Sequence, residues 1–338
     1  MKTHTLGIDI GGTKCAVVLG GTQIPQDDTS RFILDRLAFP TQTHLGLEHT
    51  LSCLYDAIDK IMARNCLTAA NLLGIGISCG GPLDHRAGII NNPPNLYGWV
   101  NVPIVRLLEE RYHVPAFLQN DANACALAEW KFGAARNYSN IVFLTFGTGM
   151  GAGLILNGQL YCGANDMAGE VGHVRISSNG PVGFGKSGSF EGFCSGNGIA
   201  QLAKIKVMEA LQRGEVPAFC PTIAELDSLD AKLVAEAAGN GDPLAIEIYE
   251  ICGENLGKGL SILIDILNPE VIVLGSIFQR SAELLWPAAK RVIAREALPQ
   301  SFRHCKVVPA RLGNQIGDYA AISIVLTQSQ EVFHADPQ

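Results

Sequence analysis

The chain has 338 residues, of which 47% are hydrophobic and 17% charged, enough apolar material for two domains with full-sized cores. Its net charge is −7 and no block of lysine or arginine stands out, which argues against a nucleic-acid partner. Neither a signal peptide nor a membrane segment is expected, because Asp9 interrupts the first apolar run and Asp265, Asn268 and Pro269 interrupt the longest one.

Ten cysteines are scattered along the chain, and none of them form a C-x-x-C pair. Most lie in apolar segments, where a free cysteine behaves as a small hydrophobic side chain. We therefore expect reduced thiols in the cytoplasm rather than a disulfide framework.

A hairpin with a glycine turn comes first along the chain. Two short apolar strands, 5–8 and 15–19, flank the stretch Asp9-Ile10-Gly11-Gly12-Thr13-Lys14. Glycines allow a positive φ and a close approach of the backbone to a ligand, and successive N–H groups in such a turn can hold an anion. The threonine adds a hydroxyl, the lysine a positive charge, and the aspartate a carboxylate that can act through a metal. Taken alone, the motif would favour an ordinary hairpin turn over a ligand site.

The next elements alternate between helices and strands. Apolar spacing predicts, in chain order, a helix over 45–66, a strand over 72–77, a loop over 89–99, a helix over 102–112, a strand over 114–118 and a helix over 124–132. The strand over 72–77 ends in Ser78-Cys79-Gly80-Gly81-Pro82, and such strand ends are the usual place of ligand contact in an open α/β sheet.

Asn120 and Asp121 lie where the strand over 114–118 passes into a helix. One interpretation is structural, since aspartate is a favoured N-cap residue. The other is chemical: the carboxylate takes a proton from a hydroxyl that attacks a phosphate, and the amide holds neighbouring hydroxyls. Spacing alone favours neither.

A second hairpin repeats the plan of the first. The turn Thr145-Phe146-Gly147-Thr148-Gly149-Met150-Gly151 lies between apolar strands over 141–144 and 152–156. It is followed by Ala168-Gly169-Glu170-Val171-Gly172-His173, where a carboxylate and an imidazole three residues apart could both hydrogen-bond a substrate rich in hydroxyls. A solvated surface turn is the alternative.

One motif is misleading. Residues 180–187, Gly-Pro-Val-Gly-Phe-Gly-Lys-Ser, match the P-loop pattern literally, but a P-loop needs a buried strand before it and a helix after it. Neither flank provides one, so a P-loop NTPase is disfavoured. Beyond this point the sequence predicts helices over 197–213, 222–238, 242–267, 279–297 and 317–328, and strands over 271–275 and 306–309.

As a set, these motifs resemble the ROK family of bacterial sugar kinases and related repressors, over nearly the whole chain. The resemblance implies an α/β protein with the actin-like ATPase, ribonuclease H-like fold, in which two domains enclose a cleft. The expected domains are 1–121 with 310–338, and 122–309.

The resemblance also implies roles for individual residues. Asp121 corresponds to the general base, and Gly275 to the loop that lines the adenine pocket. The residues expected to bind sugar are Gly81, Asn95, Asn120, Asp121, Glu170, His173 and Glu191. The residues expected to bind the nucleotide and its Mg²⁺ are Asp9, Gly11, Gly12, Thr13, Lys14, Thr145, Gly147, Thr148, Gly149 and Gly275.

Two departures from the family pattern stand out. The family usually binds a structural zinc through the histidine of its GH pair and three cysteines, but Val182, Phe184 and Ser189 occupy those cysteine positions here. One histidine with these residues cannot form a tetrahedral zinc site, so we expect no structural zinc and no protein-bound metal site. Ser276-Ile277 stands where further glycines are common.

Together with these residues, the resemblance implies an ATP-dependent hexokinase with glucose O6 as the first acceptor, and a homodimer as in many members of the family. The alternatives are a kinase for fructose, mannose, allose, N-acetylglucosamine or N-acetylmannosamine, and polyphosphate in place of ATP as the donor. A sugar-sensing repressor is the alternative from another class. It is disfavoured because the first phosphate loop begins at Asp9, leaving no room for a helix-turn-helix, and because the net charge is negative.

Overall fold

The computed structural model describes residues 2–25 and 32–334, with the backbone alone for 330–334. Contacts within the chain divide it into two compact units, which contain the described residues of 1–137, 153–168 and 311–338, and those of 138–152 and 169–310. The domain limits expected from the sequence, 1–121 with 310–338 and 122–309, stay a prediction. Within the described ranges, no helix is both long and apolar enough to cross a membrane.

Fourteen strands lie in the described chain. They are β1 His4–Ile10, β2 Lys14–Gly21, β3 Ile33–Pro40, β4 Leu72–Cys79, β5 Leu83–Asp84, β6 Ile89–Ile90, β7 Ala116–Asn120, β8 Ile141–Phe146, β9 Met150–Leu156, β10 Gln159–Leu160, β11 Val182–Gly183, β12 Lys186–Ser187, β13 Val271–Leu274 and β14 Lys306–Pro309.

Ten α-helices accompany them within the same ranges. They are α1 Gly46–Arg64, α2 Ile104–Tyr112, α3 Asp121–Phe132, α4 Phe190–Phe193, α5 Gly196–Gln212, α6 Ala231–Gly239, α7 Pro243–Leu267, α8 Ile277–Glu296, α9 Pro299–His304 and α10 Ile316–His334.

The first unit is built on a five-stranded sheet of order β3-β2-β1-β4-β7. β1 pairs antiparallel with β2 and parallel with β4, so the hairpin turn and the end of β4 lie at the same edge of the sheet. β7 pairs parallel with β4, and Cys79 at the end of β4 is opposite Asn120. Three candidate segments are thereby brought to one edge by the strand directions alone.

Glycines on one face of this sheet let helix α10 pack directly against the strands. A Cβ added at Gly76 would come within 2.0 Å of the carbonyl oxygen of Ala321, and one at Gly7 within 2.8 Å of the Ala321 Cβ. On the opposite face, alternate residues such as Leu6 and Ile8 are fully buried in a cluster with α1 and α2. The period of two along β1 therefore separates the two layers of the core.

Glu129 is a fully buried carboxylate that ties α3 to the chain before α10. It accepts hydrogen bonds from the backbone N–H groups of Ala134 (2.7 Å), Arg311 (2.9 Å) and Leu312 (2.9 Å). Replacing Glu129 with Ala should lower the free energy of unfolding by about 3–5 kcal/mol, because three backbone N–H groups lose their charged acceptor and the buried side chain leaves a cavity. Urea unfolding measures this, and Glu110→Ala on the exposed face of α2 is the control. An unchanged midpoint for Glu129→Ala would contradict the assignment.

The second five-stranded sheet has the order β10-β9-β8-β13-β14, and β13 pairs parallel with β8 and β14. Helices α7 and α8 pack against each other through glycines of α7. A Cβ at Gly253 would come within 2.6 Å of the carbonyl oxygen of Leu285, and one at Gly257 within 2.6 Å of that of Ala289. The smallest side chain at these positions allows the two helix backbones to lie close together.

The predicted strands and most predicted helices coincide with observed ones to within a few residues. The single helix predicted over 222–238 is wrong, because Ile223–Ser228 forms a 3₁₀ helix and α6 begins only at Ala231. Asp230 lies between them with extended φ and ψ, and its carboxylate accepts a hydrogen bond from the Leu233 N–H at 2.7 Å. An N-cap inside an apolar periodic stretch has divided one expected helix into two.

Candidate functional site

The turn of the first hairpin is fixed by contacts with its surroundings. Gly11 N–H donates to the carbonyl oxygen of Lys14 at 3.1 Å, and Thr41 N–H donates to that of Thr13 at 3.0 Å. The Thr41 hydroxyl also donates to the carbonyl oxygen of Gly11. A backbone held at both ends of a turn is preorganised to bind an anion.

The two glycines of this turn serve close packing and not an unusual φ, since neither has a positive φ. A Cβ at Gly11 would be 2.8 Å from the carbonyl oxygen of Lys14, and one at Gly12 would be 2.7 Å from the Cβ of Asn95. Asn95, expected from the resemblance to contact sugar, is exposed and lies directly against the turn of the first hairpin. The sequence did not indicate that these two segments touch.

Asn120 and Asp121 have different roles at the start of α3: Asn120 is the N-cap, and Asp121 fits the chemical interpretation. Asn120 is the N-cap of α3, and its Oδ1 accepts a hydrogen bond from the Ala122 N–H at 3.0 Å. Asp121 is the first residue of the helix, and its Oδ1 accepts from the same N–H at 2.8 Å. Because Asn120 caps the helix, the second carboxylate oxygen of Asp121 remains available for chemistry.

The surroundings of Asp121 suit a proton acceptor. Solvent reaches the side chain, although protein atoms crowd it, and the loss of hydration raises the pKa of its carboxyl group. A Cβ at Gly80 would lie 3.8 Å from its Oδ2, and one at Gly81 would lie 3.4 Å from Asn120 Nδ2. The glycines that end β4 thus leave space in front of the carboxylate and the amide.

Asp9 belongs to the same group of charges. Burial raises the pKa of Asp9 to about 6, with further contributions from the negative charges of Asp121 and Asp318, while Lys14 and a hydrogen bond from Ser78 oppose the shift. A Cβ at Gly317 would be 2.6 Å from Asp9 Oδ2, so the first turn of α10 lies against this carboxylate. Asp318 accepts two hydrogen bonds from the Nε of Arg36, at 3.0 and 2.9 Å.

The donor set fits Mg²⁺, the cation implied by the resemblance. Asp9 is half-buried and Asp121 is open to solvent, and both offer the carboxylate oxygens that Mg²⁺ prefers. Their negative charges lie close enough together to raise the pKa of Asp9, so a cation arriving with a nucleotide would relieve that repulsion.

The turn of the second hairpin is closed by its own threonine. Thr145 Oγ1 accepts a hydrogen bond from the Gly151 N–H at 2.8 Å and donates to the Gly151 carbonyl oxygen at 3.2 Å. Helix α5 begins against the same turn, where the Gly196 N–H donates to the carbonyl oxygen of Gly147 at 2.7 Å. The start of a seventeen-residue helix therefore supports the second hairpin turn, a contact that the sequence did not reveal.

Glu191 binds the backbone of that turn. Its Oε2 accepts a hydrogen bond from the Met150 N–H at 2.9 Å, and a Cβ at Gly149 would be 2.9 Å from the same oxygen. A second glycine, Gly172, also packs against it, because a Cβ there would lie 3.2 Å from the Glu191 Cβ. The expected sugar-binding glutamate thus contacts both the second phosphate loop and the segment that carries His173.

Glu170 and His173 flank a short 3₁₀ helix, Val171–His173. Glu170 is exposed and His173 half-buried, and the His173 N–H donates to the Glu170 carbonyl oxygen at 3.2 Å. The His173 ring lies edge-on to Phe184 with 5.2 Å between the ring centroids, although Phe184 is 77% exposed. An aromatic contact therefore occupies the place where a zinc ligand was expected in the family.

Residues 180–187, whose match to the P-loop pattern was disfavoured by their flanks, contain a short hairpin of β11 with β12. The Lys186 ammonium donates to the carbonyl oxygen of His173 at 2.7 Å, so it fastens this hairpin to the 3₁₀ helix.

A cavity of about 760 Å³ lies within the second unit and is large enough for a nucleotide. Gly147 and Thr148 line it together with Asn197, Ser276 and Arg280. Sequence reasoning did not indicate Asn197 or Arg280, which come close to the turn only through the starts of α5 and α8. A smaller cavity, of about 420 Å³, is lined by Glu191 and also by Asn197.

Ser276 keeps the backbone conformation that a glycine would adopt easily. Its φ is 47°, in the left-handed region, immediately before α8. A non-glycine residue there costs on the order of 1–3 kcal/mol, which persists where the surroundings impose it. Gly275 directly precedes this position, and its N–H donates to the carbonyl oxygen of Leu144 at 3.0 Å, so the loop continues from the sheet into the cavity wall.

Three comparisons place the chain among known proteins. The ROK family profile matches residues 5–328. The glucokinase of Halalkalibacterium halodurans is 31% identical over 314 residues, which cover 92% of this chain and 92% of that protein. The xylose repressor of Caldicellulosiruptor bescii is 29% identical over 282 residues, 83% of this chain and 69% of the repressor.

A solved structure supports the same placement. The crystal structure of a ROK family glucokinase from Streptomyces griseus in complex with glucose and AMPPNP has a TM-score of 0.71 at 26% identity, over 94% of this chain and 98% of that one. The fold of this chain is accordingly the mixed α/β fold of the actin-like ATPases.

Proposed function

Because the chain belongs to the ROK family, we propose that it is an ATP-dependent hexokinase that phosphorylates a hydroxyl group of a hexose, glucose O6 in the first instance. The observation that carries the proposal is that Asn120 caps helix α3, so that Asp121, whose carboxyl group has a raised pKa, is left free for chemistry at the end of a parallel strand. Glucokinases among the relatives point to the same activity.

Asp121 acts in this proposal as the general base for the attacking hydroxyl. Its raised pKa brings it nearer to the working pH than an ordinary aspartate, which favours proton transfer. The residues proposed to bind the sugar are Gly81, Asn95, Asn120, Glu170, His173 and Glu191. Positioning and charge neutralisation do most of the work in phosphoryl transfer, and one acceptor for the proton completes it.

The nucleotide is held by the two hairpin turns. Gly11, Gly12, Thr13 and Lys14 form one cradle, and Thr145 with residues 147–149 forms the other, beside the cavity that takes the base. Asp9 holds the Mg²⁺ of the nucleotide, which neutralises phosphate charge when bound. The assembly that we propose is a homodimer in the cytoplasm.

A coupled assay of ADP release across a panel of hexoses and N-acetylhexosamines, with and without Mg²⁺, tests the function. We expect release that depends on both the sugar and Mg²⁺, with glucose among the best acceptors. Polyphosphate is run in parallel as donor. Sugar binding without turnover for any donor would favour a sensing role like that of the related xylose repressor.

Gly12→Ala should lower kcat/KM by roughly 100-fold. The new Cβ would overlap the Cβ of Asn95 at 2.7 Å, forcing apart the phosphate loop and a segment proposed to bind sugar. Steady-state kinetics with ATP varied measure the loss. Gly239→Ala, at the end of α6 where nothing lies within 4 Å of the added Cβ, is the matched control and should leave kinetics unchanged. If Gly12→Ala and Gly239→Ala have the same kinetics, the turn around Gly12 is not part of the nucleotide site.

A further inference from the structure

Three side chains of different chemistry meet in the first unit, apart from the residues assigned above. His85 follows β5, Cys162 and Asp166 follow β10, and their ligand atoms all lie within 4.8 Å of one another. The backbone N–H of His85 donates to Asp166 Oδ2 at 2.8 Å, and its Nδ1 lies 2.5 Å from Asp166 Oδ1. The cluster joins segments about eighty residues apart in the sequence.

The donor set selects a particular class of cation. Imidazole nitrogen, thiolate sulfur and carboxylate oxygen together are typical ligands of zinc and similar divalent transition metals, whereas Mg²⁺ prefers oxygen alone. Ligands of a tetrahedral zinc ion lie about 3.3–3.6 Å apart, from bond lengths of about 2.0–2.3 Å. Shifts of about 1 Å would therefore bring these three atoms onto one ion.

The backbone already holds the cluster in place. Asp166 has a φ of 63°, a strained left-handed conformation that aspartate tolerates better than most residues. The Ala168 N–H donates to the Cys162 carbonyl oxygen at 3.1 Å and closes the turn that carries both ligands. The side chains of His85 and Asp166 are 20% and 10% exposed, so an ion can enter from solvent.

The surroundings supply a supporting layer of amides. Gln119 Nε2 and Asn123 Nδ2 lie 3.5 and 3.8 Å from Cys162 Sγ, in positions to donate to a thiolate. Asn123 is 2% exposed, and its Oδ1 has no hydrogen-bond partner among the described residues. A buried amide oxygen rarely remains unsatisfied, and a water molecule bound to an ion in this cluster would satisfy it.

We propose that His85, Cys162 and Asp166 bind one divalent transition-metal ion of the zinc class, with water in the fourth position. This site is separate from the family's zinc loop, where Val182, Phe184 and Ser189 replace the cysteines, and separate from the Mg²⁺ carboxylates. The ion fastens the segment after β5 to the turn after β10, and its binding does not depend on the proposed kinase activity.

Titration of the chelator-stripped full chain with Zn²⁺ and Co²⁺, in excess Mg²⁺ to occupy the carboxylate site, tests the proposal. We expect one equivalent per chain and a thiolate-to-cobalt charge-transfer band in the near ultraviolet. Cys162→Ser should abolish that band and weaken Zn²⁺ binding by more than about 100-fold, beyond what the loss of a supporting partner causes. Asp166→Asn keeps a residue that tolerates the left-handed φ while removing the charge, and it should weaken binding as well.

The control is Cys53→Ser. Cys53 Sγ lies 3.7 Å from His49 Nε2 on α1, but in the part of the chain that the structure describes no third possible metal ligand joins this pair. The variant should therefore bind metal as the parent does. Circular dichroism verifies that each variant is folded. If Cys162→Ser does not fold, the Zn²⁺ affinity of Asp166→Asn tests the site instead. The site is refuted by a parent chain that binds no Zn²⁺, or by folded Cys162→Ser or Asp166→Asn proteins that retain full affinity and the cobalt band.

Discussion

The Asp121→Asn variant should retain hexose binding while its kcat falls by about 10²–10⁴-fold. That range is what a positioned general base contributes, and the asparagine amide cannot accept the proton. Sugar affinity should survive because Asn is nearly isosteric with Asp and the cap of α3 is made by Asn120. Isothermal titration with glucose and steady-state kinetics measure the two quantities on the same protein.

The pH profile gives a second readout of the same residue. Burial raises the pKa of Asp121, so the acidic limb of kcat/KM should lie at higher pH than an ordinary aspartate would place it. Activity rises with pH through that limb, because the ionised carboxylate is the base. With Mg²⁺ in excess, so that Asp9 stays ionised, the limb that belongs to Asp121 should be lost from the residual activity of Asp121→Asn.

Asp56→Asn, an exposed aspartate of α1 paired with Lys60, is the control and should keep both kcat and the acidic limb. If Asp121→Asn turns over at close to the parent rate, the base lies elsewhere. Loss of sugar binding together with turnover would instead assign Asp121 to substrate positioning alone.

The parts of the site that the sequence predicted are those with a local signature. Both glycine turns, the strand-to-helix junction at Asp121 and the lack of P-loop flanks around 180–187 can each be seen in short stretches of consecutive residues. Turn chemistry, apolar period and strand ends act over that distance, so single-sequence reasoning can detect them.

The parts that the sequence did not predict depend on contacts between distant segments. Gly317 and Asp318 reach Asp9 only because α10 packs on β1 and β4, about three hundred residues after β1. Gly12 looked like a residue chosen for its φ, and only the neighbouring Asn95 shows that the missing Cβ is what matters. The break before α6 was hidden because Asp230 interrupts an otherwise continuous helical period.

Asp9→Asn should abolish the proposed kinase activity and also stabilise the protein at pH 8. Burial first, and then the charges of Asp121 and Asp318, raise the pKa of Asp9 to about 6 from a usual value of 3.8. Keeping this group ionised in the folded state costs on the order of 2–3 kcal/mol, at about 1.4 kcal/mol per pKa unit. Asparagine removes that cost, while the lost carboxylate oxygen removes Mg²⁺-dependent turnover.

The sign of the pH effect follows from the raised pKa. Between about pH 4 and 6 the folded protein binds a proton at Asp9 that the unfolded chain has released, so the stability of the parent falls as the pH rises through this window. Above it the cost is present in full. The advantage of Asp9→Asn should therefore be largest at pH 8, shrink as the pH falls below 6 and be nearly gone at pH 4.

Urea unfolding of parent and variant at pH 8, 6 and 4, without Mg²⁺ or nucleotide, measures that difference, with Asp56→Asn as a variant expected to show none. An unfavourable charge that is kept in a site because it binds a ligand lowers the free energy of unfolding of the free protein. Binding of the ligand removes this destabilisation. MgATP should accordingly raise the midpoint of the parent by more than that of Asp9→Asn. A variant that is less stable than the parent at pH 8 would show that Asp9 contributes to the fold through its hydrogen bonds rather than opposing it through its charge.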